Sequence, residues 1–178
     1  MYENLNKLDL LYINMLEYFS GDPKRIQHFI KVHSLAKLIG HMESLTDEQM
    51  VILEAAAYVH DVGIKPAEER YGKCNGKLQE ELGPEQAELL LRKCNFEEQQ
   101  IGRISYLVGH HHTYNDIDGM DYRILVEADS LVNLYEEGSL ATSIQNAYQS
   151  IFRTESGKKI CRTMFRKAII DEIQKSKM

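Results

Sequence analysis

Apolar residues recur at helical spacing in a succession of segments. Residues 5 to 19 place Leu8, Leu11, Tyr12, Met15, Leu16 and Phe19 on one side and predict a packing helix. Ser20-Gly21-Asp22-Pro23 breaks it, with Asp22 as N-cap and Pro23 at the first helical position of the next. That second helix runs to about Met42 and aligns His28, Val32, Leu35 and Ile39. Thr46-Asp47-Glu48-Gln49 fits a capping box, opening a helix with the stripe Leu53, Ala56, Ala57 and His60. Gly63 is its stop, and the small run Ala55-Ala56-Ala57 lets neighbours approach closely. Beyond Gly63 the pattern weakens. Residues 65 to 83, with turn formers from Tyr71 to Lys77, predict a surface loop. A helix is expected to begin at Pro84, with Ala87, Leu90 and Leu91 inward. Another spans Phe96 to His112 through Ile101, Ile104, Leu107 and Val108. After a polar connection over residues 113 to 121, Leu125, Asp129 and Val132 align on a helix ending near Glu137. Residues 139 to 153 and 155 to 175 read as two further amphipathic helices, the last with a solvated basic face opposite Ile160, Met164, Phe165 and Ile169.

Composition narrows the class. A chain of 178 residues, 43% hydrophobic and 27% charged, fits one domain with a substantial core. A net charge of −6 disfavours extended nucleic-acid binding and a basic membrane patch. No apolar run is long enough to span a bilayer, and the N-terminus lacks a signal-peptide layout. Cys74, Cys94 and Cys161 are odd in number and widely spaced, which fits a reducing cytoplasm and not a disulfide framework.

Three polar residues interrupt the apolar stripes. His28, His60 and Asp129 each sit where a hydrophobic residue is expected, and Asp61 follows His60 directly. A buried unpaired carboxylate is costly, so it needs a cation, a metal or several donors. Two imidazoles and two carboxylates can together hold one divalent ion. That mixed set suits Mn, Fe, Co, Ni, Zn or Mg and leaves positions for water and substrate.

These residues resemble the HD-domain metal-dependent phosphohydrolase superfamily. His28-Phe29-Ile30-Lys31-Val32 is similar to its first histidine segment, His60-Asp61-Val62-Gly63 to its namesake doublet, and Ala128-Asp129 to its closing aspartate. The likeness covers roughly residues 22 to 135. It implies an all-α, single-domain helical bundle over residues 1–178, with residues 1–20 and 139–175 as packing helices. It also implies hydrolysis of a small phosphorylated substrate, often a nucleotide, with no nucleic-acid or membrane partner; a homo-oligomer stays open. Within that reading, His28, His60, Asp61 and Asp129 hold the metal, and Asp61 also orients a water. His110 or His111 protonates the leaving oxygen, and Arg25 and Lys65 neutralise phosphate charge. Lys65 stands one residue later than the family's usual lysine because Ile64 intervenes. Lys73 or Lys77, in the expected loop, is a further candidate for phosphate contact. One tightly held ion is expected. In Gly83-Pro84-Glu85-Gln86-Ala87, which resembles the family's His-Pro-Glu segment, Gly83 occupies the histidine position, and no histidine lies between His60 and His110. Glu80 and Glu81 are read as solvated. Two other readings stand beside this one: a non-catalytic metal- or nucleotide-binding regulator on the same fold, and a di-iron oxygenase, which needs more histidine ligands.

Overall fold

The computed structural model describes residues 4–169, and every regular element among them is an α-helix. In order these are α1 (Lys7–Tyr18), α2 (Pro23–Met42), α3 (Asp47–Val59), α4 (Ile64–Tyr71), α5 (Gly76–Lys93), α6 (Glu98–Val108), α7 (Met120–Glu136), α8 (Ala141–Ser150) and α9 (Glu155–Met164). The part of the last predicted helix from 170 to 175 lies outside the described residues, as do residues 1–3.

Local sequence explains the first three elements. Asn6 caps α1 by accepting from the amides of Leu8 and Asp9. Asp22 caps α2 with Pro23 in its first turn, and Thr46 and Gln49 close a reciprocal capping box at α3. α3 is the hub, packing against α1, α2, α6 and α7. Ala55, Ala56 and Ala57 are fully buried, so small residues on this helix let four neighbours come close. Gly40 serves the same purpose on α2, because a Cβ there would meet Met50 Sδ at 2.6 Å. The core continues through Phe29, Val32, Leu53, Leu91, Ile104, Leu125 and Leu131.

The region after Gly63 departs from expectation. It is not a loop but two helices separated by a short turn at residues 72–75. Pro66 falls in the first turn of α4, where its missing N–H costs nothing, and Gly72 ends that helix in the left-handed region at φ 65°. Asn75 then caps α5 by accepting from Leu78 N. α5 does not begin at Pro84 but runs straight through it. The outer edge of the proline ring lies against Gly109, where a Cβ would be 3.1 Å from Pro84 Cγ. α5 also passes directly over the turn after His60-Asp61. A Cβ on Gly63 would meet Gln79 O at 2.5 Å and Gly83 N at 2.9 Å. Two glycines thus bring α5 down onto the functional doublet.

α6 stops at Val108, so His110, His111 and His112 lie in a turn and not on the predicted helix. On α7, Glu127 is fully buried and accepts from the amides of Arg153 and Thr154 and from Thr154 Oγ1. This carboxylate fastens the start of α9 to the core helix, and Gly157 leaves it room. α9 ends at Met164, and after a break at Phe165 residues 166–169 are helical again. No helix among the described residues is long and apolar enough to cross a membrane.

Candidate metal centre

His28 projects from the middle of α2, His60 and Asp61 from the end of α3, and Asp129 from α7; His28, His60 and Asp129 are buried. The structure brings all four together. His28 Nε2 lies 3.2 Å from His60 Nε2. Asp129 Oδ1 is 3.2 Å from the first of these nitrogens and 3.6 Å from the second. Asp61 Oδ2 is 3.5 Å from each.

The far side of each ring decides what these atoms offer. His60 Nδ1 donates to Ala57 O at 3.0 Å, and a carbonyl can only accept. His28 Nδ1 is 3.0 Å from Glu136 Oε2, whose other oxygen takes Lys31 Nζ at 2.6 Å. In the neutral rings, both Nε2 atoms therefore turn lone pairs toward two carboxylates. Orientation of a ligand histidine through its second nitrogen is the usual arrangement at a metal. Four acceptors facing one another in a buried spot repel unless positive charge lies among them. The proton equilibria express the same demand. Burial opposes charging His28, yet Asp129, Asp61 and Glu136 outweigh it and raise its pKa to about 9. His60 is raised too: burial works against it, and Asp61 and Asp129 prevail. Burial pushes Asp129 up, but hydrogen bonds from His28 and His60 hold it well below the usual carboxylate range. The residues present fit a divalent cation.

A second donor group adjoins the first and shares Asp61. Asp61, His111 and His112 present ligand atoms within 4.8 Å of one another. His111 is fully buried, donates from Nδ1 to Val108 O at 2.9 Å, and sets Nε2 3.6 Å from Asp61 Oδ1. His112 Nε2 is 2.6 Å from Gln79 Oε1. Burial and its neighbour His111 depress the pKa of His112 to about 4, so this ring is neutral near pH 7.

Several expected placements change. His110 does not reach inward: its ring stacks on Tyr106 at 4.2 Å and its Nδ1 donates to Tyr106 O. The inward partner of His111 is His112, because the turn after Val108 abandons the helical spacing that favoured His110. Lys65 also points away, with Nζ 5.1 Å from the ring centre of Tyr18 and exposed on the outer face of α4. Lys73 and Lys77 are exposed. Glu80 is not solvated; it accepts from His112 N and Thr113 Oγ1 and so holds the histidine turn. Gly83 is a helix-crossing position, since a Cβ there would lie 2.7 Å from Val108 Cγ1. His33, on the other face of α2, stacks on Tyr58 at 4.0 Å and pairs with buried Glu54.

Arg25 lies in the wall of a cavity of about 400 Å³ that opens from the centre. Its guanidinium bridges Asp22 at 3.0 Å and Glu68 at 2.6 Å. Lys24, Gln79, Asn133 and Glu136 line the same cavity and were not singled out from sequence. Glu136 stands seven residues after Asp129, the same face of α7 two turns on, and that spacing was the available signal. Gln79 had none, because its helix was read as a loop.

Neither a protein-family model nor a curated protein matches this chain. One solved structure does: a predicted HD superfamily hydrolase from an uncultured Thermotogales bacterium. It is 24% identical with a TM-score of 0.67, over 97% of this chain and 92% of that one. The chain shares the all-α fold of that structure.

Proposed function

We propose that this protein is a metal-dependent phosphohydrolase acting on a small phosphate ester, with nucleotides as the class that the HD resemblance brings in. The observation that carries the reading is the convergence of His28, His60, Asp61 and Asp129, with two imidazole lone pairs and two carboxylates facing one buried point. These four side chains would hold one divalent ion tightly. Such an ion, when bound, supplies Lewis acidity to a phosphate oxygen and lowers the pKa of a bound water.

The chain's own groups supply the rest. Asp61 has one oxygen toward His28 and His60 and the other toward His111, which suits it to accept a hydrogen bond from a water and fix its approach. Arg25 and Lys24 stand on the cavity wall to meet phosphate oxygens. His111, its ring fixed by Nδ1 donating to Val108 O, turns Nε2 toward Asp61 Oδ1, where it can take the water's proton and pass it to the leaving oxygen. The P–O ester bond breaks, a P–O bond to water forms, and the water's proton balance is completed on the departing alcohol. Asp61, His111 and His112 form a weaker second group, expected to fill only at higher metal concentration.

The test is hydrolysis of p-nitrophenyl phosphate and a nucleotide panel with Mn, Co, Ni, Fe, Zn and Mg in turn. Turnover lost in Asp61→Ala supports the reading. No turnover with any of these metals would replace it with a non-catalytic regulator on this fold.

A further inference from the structure

The cavity beside the centre has two unlike walls. One is the first turn of α2, with Lys24 and Arg25 at the positive end of a 20-residue helix. The other is the last turn of α7, where Asn133, Glu136 and Glu137 stand at the negative end of a 17-residue helix. Helix ends carry partial charges of these signs, so each wall reinforces its own side chains. Leaving aside the metal-binding pair, the lining residues include four carboxylates, Asp22, Glu68, Glu136 and Glu137, against two cations, Lys24 and Arg25. Arg25 is already bridged between Asp22 and Glu68, so little positive charge remains beyond what one phosphate needs. Apart from the His28 imidazole, which belongs to the centre, no aromatic side chain is among the lining residues, and Ile64 is the aliphatic one.

We infer that the substrate carries a single phosphate on a small polyhydroxylated skeleton, and that the cavity discriminates against di- and triphosphates. The inference rests on the phosphohydrolase reading above. A single phosphate has the α2 wall and the centre to meet it. Each additional phosphate would extend toward the α7 wall, against Glu137 and a helix C-terminus, where like charges repel; Glu136, already paired with Lys31 and His28, adds less. Hydroxyl groups behave oppositely there. They donate to carboxylates and to the Asn133 side-chain oxygen, and charged acceptors make the stronger bonds. A nucleobase finds no ring beyond that of His28 to stack on along this lining. The cavity's volume of about 400 Å³ sits at the lower end of ligand pockets, which fits a sugar phosphate or a nucleoside monophosphate.

The experiment uses the full chain loaded with the metal that best supports p-nitrophenyl phosphate hydrolysis, or with Mn if none does. kcat/KM is measured for ribose 5-phosphate, glucose 6-phosphate, and AMP, ADP and ATP. Expected is turnover of the monophosphates, with ADP and ATP at least tenfold lower than AMP. Ribose 5-phosphate matching AMP identifies a sugar phosphate as the source; AMP ahead by tenfold or more identifies a nucleoside monophosphate. ATP equal to or better than AMP overturns the inference and leaves the hydrolase reading standing. Glu137→Lys should narrow the AMP-to-ATP ratio at least threefold, and an unchanged ratio overturns the charge argument. Failure to hydrolyse p-nitrophenyl phosphate or any other substrate sinks the hydrolase reading instead. Calorimetric titration of the Mn-loaded chain with ribose 5-phosphate and with ATP then still decides the cavity's preference: tighter ribose 5-phosphate supports it, and tighter ATP refutes it.

Discussion

Glu136 is not among the four side chains that would hold the metal, yet its removal should weaken metal binding. Its carboxylate accepts from His28 Nδ1 at 3.0 Å and from Lys31 Nζ at 2.6 Å. It therefore fixes the His28 tautomer that leaves Nε2 bare, and Lys31 fixes the carboxylate. Loss of such an outer partner costs about 10- to 100-fold in metal affinity, or about 1.4–2.7 kcal/mol. Glu136→Ala should fall in that range. Glu136→Gln keeps an acceptor but loses the charge, which roughly halves the strength of the hydrogen bond, so about 3- to 10-fold is expected. Lys31→Met should have a smaller effect of the same sign, because it acts only through Glu136. The assay is competition with a chromophoric chelator for Mn or Zn, run beside thermal unfolding. A purely structural role would lower Tm in all three variants and leave the dissociation constant untouched. Glu136→Ala within twofold of wild type, while His28→Ala loses the metal, would refute the positioning argument.

Removal of His28, His60 or Asp61 by alanine should strip the ion as read by elemental analysis. His33→Ala should retain it and cost about 1–2 kcal/mol in urea unfolding, because Glu54 loses a buried partner. Chelation should lower Tm by about 5–10 °C relative to protein with metal at 100 times its dissociation constant, which contributes about 2.7 kcal/mol; no shift would mean no specific site. Metal binding should tighten as pH rises toward about 9, the raised pKa of His28, because the ion displaces that proton. Below that value binding releases protons and weakens with acid; calorimetry in buffers of different ionisation enthalpy that detects no release would contradict the assignment. Gly63→Ala should cost about 3 kcal/mol and Gly83→Ala about 1 kcal/mol in urea unfolding. The first meets the backbone of α5, which cannot yield, and the second meets one Val108 methyl group. Equal costs would deny the close crossing.

Sequence by itself determined the helices with strong local signals: the N-caps Asp22 and Thr46, the capping box, and the stripes of α2, α3 and α7. It also singled out His28, His60, Asp61 and Asp129, because a polar residue on a buried stripe is visible in the order of residues alone. What it could not supply was any feature whose cause lies far along the chain. α5 runs through Pro84 with Gly109 leaving space beside the ring and α6 packed alongside, and neither fact is local to the proline. Once α5 was hidden, Gln79 and the true place of Gly83 were hidden with it. The choice among three adjacent histidines likewise fell to tertiary structure. Helical periodicity stops at Val108, and Glu80 from another helix sets the turn that sends His112 inward and His110 out. Glu136 and Glu127 follow the same rule: each is an ordinary charged residue in sequence, and only a partner more than twenty residues away gives it a role.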